Sequence, residues 1–403
     1  WVNSRHYSAR EGVPVLLLDG GPVMDAEEQL SVLDTGIADI FAKATGGLAI
    51  LLEHRYYGTS QRMLFGEYSS PSSLSLGILN LIAGSTMTDN VRFMTHFRLD
   101  DTGQNLTAGL YAGARAAHMR IQFPGLVYDA ISSSAITYAT LENWRYNEVV
   151  SEAAGSKSAD SLEKATKAIY ELIDGGIKRQ RLKNVFGLAD LKHDDDFAAL
   201  ILRMKSKSTT SNEFERFCSK LTAPYGNLTD AVISGLDTAT QCNIRRKLND
   251  ARRIAILDHP FQISPPEFDH PRIISCSINL EYQLKICRRS FLSGKHYRAP
   301  NITSVNALGY HDVATDRLAF IDGEYQWRPL TSHSDQAEVR PDTILRPFNV
   351  VPNVVHLWDM HGLAKWMAEP PEIRGIHEEI IHIVREWIKA WPIAGIPVPQ
   401  KIQ

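Results

Sequence analysis

No apolar run in this chain approaches the ~18 residues of a membrane-crossing helix, so a membrane span is not expected. Charge of one sign is not in excess either. The net charge is −3, which gives no electrostatic case for binding nucleic acid or an anionic membrane. The densest basic run, Lys178-Arg179-Gln180-Arg181-Leu182-Lys183, is short and reads as a solvated helix face. There is no internal repeat, no low-complexity tract and no recognisable signal peptide. The sequence opens on Trp1 and turns strand-like within a few residues, so a processed or trimmed N-terminus is expected. Cysteine is scarce: Cys218, Cys242, Cys276 and Cys287 all fall in one part of the chain. That clustering suits one or two disulfides stapling a subdomain, with three pairings open; free thiols in a cytosolic protein are the alternative.

Metal-binding patterns are absent as well. His377 and His382 lie five apart on a helical pattern, so at about 100° per residue they diverge by roughly 140° and cannot share one ion. They read as solvated helix histidines. His193-Asp194-Asp195-Asp196 lacks the rest of a calcium loop and reads as a helix N-terminus. No metal and no cofactor are expected.

The composition that remains, 44% hydrophobic and 22% charged, is that of a globular protein of one or two domains. Short apolar runs at residues 13–18, 47–52, 127–131, 318–321 and 348–355 are bounded by turn residues, as buried parallel strands require. Helical stretches separate them. One at residues 35–44 has apolar residues at helical spacing, and in the last Ile376, Ile380, Val384, Trp387, Ile388 and Trp391 form one stripe. Alternation of this kind predicts a doubly wound α/β sheet, with ligands and catalysts on the loops after the strands' carboxyl ends. The middle is polar, helical in pattern and holds every cysteine. The expected organisation is therefore a core of residues 1–147 and 307–403 with a helical insert at 148–306.

Asn105, Asn227 and Asn301 each open an N-x-Thr sequon, and together they lean towards a secreted glycoprotein. Ala108-Gly109-Leu110-Tyr111-Ala112-Gly113 has the outline of a nucleophile elbow, in which glycines flank a strained turn carrying serine. Here leucine holds that place. Ser132, Ser133 and Ser134 follow an apolar run but lack the flanking glycines.

Four motifs occur in order: Glu53-His54-Arg55-Tyr56-Tyr57-Gly58, the stretch from Tyr111 through Ala117-His118-Met119-Arg120, Leu318-Ala319-Phe320-Ile321-Asp322-Gly323-Glu324, and Val355-His356-Leu357-Trp358-Asp359. Together they resemble the serine carboxypeptidase S28 family, which includes prolyl carboxypeptidase, dipeptidyl peptidase II and fungal prolyl endopeptidases, over nearly the whole chain. The resemblance implies an α/β-hydrolase fold with a helical insert and cleavage after proline by a Ser-Asp-His triad, often at acidic pH. It also implies peptide or protein substrates and a secreted, vacuolar or lysosomal location.

Carried over position by position, the family's serine falls on Leu110, which has no nucleophilic atom. Its aspartate falls near Gln326, with Asp322 and Glu324 as neighbouring carboxylates, and one histidine of its tandem pair survives as His356. Gly20, Gly21 and the amide of Tyr111 are the oxyanion-hole candidates, and Glu53 is a pocket candidate that alternatively pairs with Arg55. Residues 98–107 have loop composition where a central strand is expected, so the loss reads as a missing segment. Three accounts follow: a non-catalytic relative that keeps a peptide-binding cleft, an active peptidase with a substitute nucleophile, or a version of an active peptidase from which coding segments were skipped. Oligomeric state is not legible.

Overall fold

A computed structural model describes residues 1–8, 13–20, 26–54, 60, 83–97, 108–111, 113–174, 177–185, 188–198, 263–265, 270, 272–290, 302–326, 328–362 and 368–391. The chain divides into two compact units, Trp1–Ala139 with Asn301–Gln403, and Thr140–Pro300.

Among the described residues the first unit has seven strands: β1 (Val2–Asn3), β2 (Val15–Asp19), β3 (Leu48–Leu52), β4 (Ala108–Tyr111), β5 (Val127–Ser133), β6 (Leu318–Tyr325) and β7 (Phe348–Val355). Their order in the sheet is β1-β3-β2-β4-β5-β6-β7. β1 pairs antiparallel with β3 and every other pairing is parallel. Helices cover both faces, so successive residues of one strand enter opposite cores. Leu16, Leu18, Ala49 and Leu51 pack with α1 (Leu30–Asp34), α2 (Ile37–Thr45) and α10 (Pro371–Lys389). Val15, Leu17, Leu48 and Ile50 pack with α3 (Ala83–His96) and α4 (Gly113–Gln122). Burial on both sides is why these strands read as continuous apolar runs rather than alternating ones. This is the α/β-hydrolase fold.

Local sequence places the covering helices. α2 stops at Gly46, whose φ of 69° is the left-handed conformation that ends a helix without a Cβ penalty. α10 starts with Pro371, where the missing N–H costs nothing, and buries Ile373, Ile376, Ile380, Ile383, Val384 and Trp387 along one stripe. Each such side chain contributes about 1.5–3 kcal/mol of burial, which fixes the helix over β6 and β7.

Three expectations change. A strand does precede Gly113: β4 lies between β2 and β5, with Leu110 paired to Leu17 on one side and Ala130 on the other. The elbow sequence itself supplies that backbone. Residues 348–355 form an edge strand rather than one buried on both faces, and Val350 is 43% exposed. Pro352 inside the run fits an edge, where no ladder partner needs its missing N–H. Ser132 and Ser133 belong to β5 itself and are fully buried.

The second unit contains α5 (Arg145–Ala154), α6 (Ser156–Asp174), α7 (Ile177–Val185) and α8 (Leu280–Ser290). Leu162, Ile169, Phe197, Ile274 and Tyr282 are part of its own core. The basic run is less solvated than expected, since Lys183 is buried, pairs with Asp194 at 2.7 Å and donates to the carbonyl of Leu191 at 2.8 Å. Asp194 begins a helix, as its sequence predicts. Cys276 is a free, exposed thiol. Cys218 and Cys242, with Asn105, Asn227 and Asn301, lie outside the described residues.

Candidate active site

The carboxyl edge of the parallel sheet gathers the ends of five strands, and each contributes one element of the candidate site. At the end of β2, Asp19 is buried and accepts bonds from Arg115 Nη1 at 2.6 Å and Asn90 Nδ2 at 3.0 Å. This ties β2 to the first turn of α4 and to α3. Gly20 follows. Its N–H donates to the carbonyl of Leu52 at 2.9 Å, and its own carbonyl accepts from Gln29 Nε2. A Cβ at Gly20 would meet Leu52 O at 2.9 Å, so the close approach of two backbones accounts for the glycine. With its N–H bonded to Leu52, Gly20 would serve an oxyanion only by giving up that bond. Gly21 lies outside the described residues.

Leu110 is in the ladder. Its partners Leu17 and Ala130 stand two and three residues before the carboxyl ends of β2 and β5. Tyr111 is paired on both sides as well, with Leu18 and Ile131. A nucleophile in this architecture rides a sharp turn beyond the strand, exposed at the sheet's edge. Position 110 is a strand position.

The three serines of β5 and its end are each engaged. Ser132 Oγ donates to the carbonyl of Gly113 at 2.8 Å, and Ser133 Oγ donates to Asp359 Oδ1 at 2.7 Å. Ser134, with φ of 52°, accepts the N–H of Leu357 at 2.8 Å. The bonds of Ser133 and Ser134 brace the loop after β7, where His356 sits half-buried and Leu357 takes a left-handed φ of 61°. His377 braces the same loop from α10. It is fully buried, with Nε2 2.6 Å from the carbonyl of Asp359 and Nδ1 3.2 Å from Glu369 Oε2. The reading of both helix histidines as solvated therefore holds for His382, which is exposed, and fails for His377.

At the end of β6 an amide faces His356 and a carboxylate lies behind the amide. Gln326 is 1% exposed, and its Oε1 lies 3.3 Å from His356 Nδ1. Its Nε2 donates to Asp322 Oδ1 at 2.8 Å. Asp322, 2% exposed, has its other oxygen 2.6 Å from His333 Nδ1. Gly323 permits this arrangement, since a Cβ there would meet Val354 O at 2.4 Å, and the register of β6 against β7 shifts immediately after it. That irregularity re-aims the chain so that Gln326 turns back over Asp322. Sequence reasoning placed Gln326 and His356; it did not find His333, which has no motif around it. Glu324 lies apart from the line, accepting the N–H of Asn353 at 2.8 Å, and Glu53 accepts the N–H of Ser60 at 2.8 Å. Among the described residues there is no cluster of histidine, cysteine and carboxylate suited to a metal ion.

Strand order and parallel pairing define an α/β-hydrolase fold. The profile of the family described as Serine carboxypeptidase S28 matches residues 1–224, more than half of the chain. The chain belongs to the serine carboxypeptidase S28 family. It is 26% identical over 472 residues to a probable extracellular serine carboxypeptidase of Arthroderma benhamiae, covering 96% of this chain and 64% of that one. It is 24% identical over 268 residues to the serine protease vicPa of Bipolaris victoriae, covering 62% and 48%. With the thymus-specific serine protease of Mus musculus it shares 22% over 454 residues, covering 96% and 83%. Among solved structures, a putative non-heme bromoperoxidase of Mycobacterium tuberculosis aligns at a TM-score of 0.35 with 11% identity over 93% of this chain and 92% of that one. The chain thus spans 64% and 48% of the first two relatives. The aligned stretches of 472 and 454 residues are longer than the 403-residue chain itself, so gaps opposite the relatives' residues lie within them.

Proposed function

We propose that this chain is a serine-peptidase relative that has kept the scaffold and the base of the S28 site but lost its nucleophile, and that it does not turn over peptides. The observation that carries this reading is Leu110, a residue without a nucleophilic atom whose backbone is paired inside the sheet rather than carried on a turn. The second observation is that His356 Nδ1 faces the Gln326 amide, at the position where the family resemblance puts a carboxylate. Ser132, Ser133 and Ser134 each have their hydroxyl engaged in a bond that holds the fold. What remains is a peptide-binding scaffold, with proline-containing peptides the ligand class by family resemblance. Secretion is the proposed location, supported by the sequons and by the relative named as extracellular; the resemblance also allows a vacuolar or lysosomal compartment.

Treatment of the purified chain with a fluorophosphonate probe tests the loss of the nucleophile. No covalent adduct is expected. A serine adduct located by mass spectrometry would replace this reading with an active peptidase using a substitute nucleophile. A second account is favoured by one observation, the alignments that outrun the chain: coding segments skipped from an active parent. Sequencing transcripts across residues 98–112 decides it. An inserted strand-plus-serine segment would support this account, and its absence would remove it.

A further inference from the structure

Along the hydrogen-bond line from His333 to His356, donor and acceptor counting places a hydrogen on one nitrogen of each ring. A carboxylate accepts and does not donate. Gln326 therefore presents its Nε2 to Asp322 Oδ1, which settles the orientation of the amide and turns Oε1 towards His356. An amide oxygen also only accepts, so the His356 nitrogen facing it, Nδ1, carries a hydrogen, and in the neutral ring the basic nitrogen is then Nε2. The same logic puts the hydrogen of His333 on Nδ1, opposite Asp322 Oδ2.

We propose that Asp322 and Gln326 together are the positioning group for His356: the carboxylate sets the Gln326 amide, and the amide holds the imidazole as the Nδ1–H tautomer with its basic nitrogen on Nε2. This rests on the reading of His356 as the site's base. The carboxylate of the site has in effect moved one hydrogen bond back, with glutamine spanning the gap. Orientation passes through that bridge, whereas a direct charge contact does not. His333 is the second donor to Asp322. Its ring is stacked on Phe348 at 3.7 Å, which keeps Nδ1 aimed at the carboxylate. Arg340, over the rings of Phe320 and Phe348, adds positive charge near Asp322.

Nitrogen NMR of the chain labelled at its histidine rings reads the tautomers directly, with His356→Gln and His333→Gln providing the assignments. Both rings are expected as Nδ1–H at neutral pH, and His356 found as Nε2–H would overturn the proposal. Asp322→Asn is the sharper test. It replaces two acceptors by one acceptor and one donor, so one of its two neighbours must reverse. Either His333 becomes Nε2–H, or the Gln326 amide turns over and His356 becomes Nε2–H. A folded variant in which neither ring changes contradicts the relay. Gln326→Met is expected to leave His333 unchanged while His356 becomes a mixture of tautomers; an unaltered His356 would reduce Gln326 to a packing role. These readings are independent of turnover, so an active enzyme would refute the proposed function and leave this inference standing.

Discussion

Asp129 offers a prediction with a definite sign. Its carboxyl is 5% exposed at the start of β5, and burial pushes its pKa up to about 7 against the opposing pull of Arg120 and Arg317. In the unfolded chain it ionises in the usual carboxylate range. Below that range both states are protonated and the group is neutral in effect. As pH rises towards 7 the unfolded state loses its proton and the folded state does not, so stability falls with rising pH until the folded carboxyl also ionises. A displacement of about three units at 1.36 kcal/mol each amounts to roughly 4 kcal/mol at pH 8, and to about 1–2 kcal/mol at pH 5. Asp129→Asn keeps the shape and removes the proton equilibrium. Urea unfolding at the two pH values should therefore find the variant more stable than wild type at both, with the advantage growing by about 2–3 kcal/mol on going to pH 8. An advantage that is constant across pH, or a variant less stable at pH 8, would refute the reasoning.

His118 works in the opposite direction on α4. Burial, with Arg115 adding repulsion, lowers its pKa to about 4, so the unfolded state takes up a proton first as the medium acidifies. Wild type should lose about 3 kcal/mol between pH 6.5 and 4 from this group, and His118→Gln should lack that part of the slope in thermal melts; parallel curves would count against it. His377→Leu removes the ring that meets Glu369 at Nδ1 and the carbonyl of Asp359 at Nε2 and should cost about 2–4 kcal/mol in denaturant unfolding, whereas an unchanged midpoint would contradict the bracing role given to it. Leu110→Ser alone should leave peptide turnover within about tenfold of wild-type background, because the hydroxyl would start from a ladder position and His356 faces a neutral amide; family-like rates would show a more intact site.

The parallel strands were legible because burial on both faces leaves an apolar run bracketed by turn residues, and residues 15–19, 48–52 and 318–321 carry that pattern. α10 was legible from its stripe. The edge position of β7 was signalled by Pro352 within its run, a residue that the apolar count alone overrides. β4 was not legible, since its four residues include a glycine and pair only because β2 and β5 flank them; tertiary context supplied the strand. At the site, motif order brought Gln326 and His356 to one edge, while His333 and the burial of His377 depend on contacts between residues distant in the chain. No local pattern encodes those. Gly20 illustrates the converse, a motif glycine whose amide the structure shows already bonded to Leu52.

The central claim is that the site lacks a nucleophile, and turnover is its most direct measure. Purified chain incubated with a proline-containing fluorogenic peptide at mildly acidic pH should release fluorophore no faster than a His356→Gln control. Release above that control, abolished by a fluorophosphonate, would contradict the account.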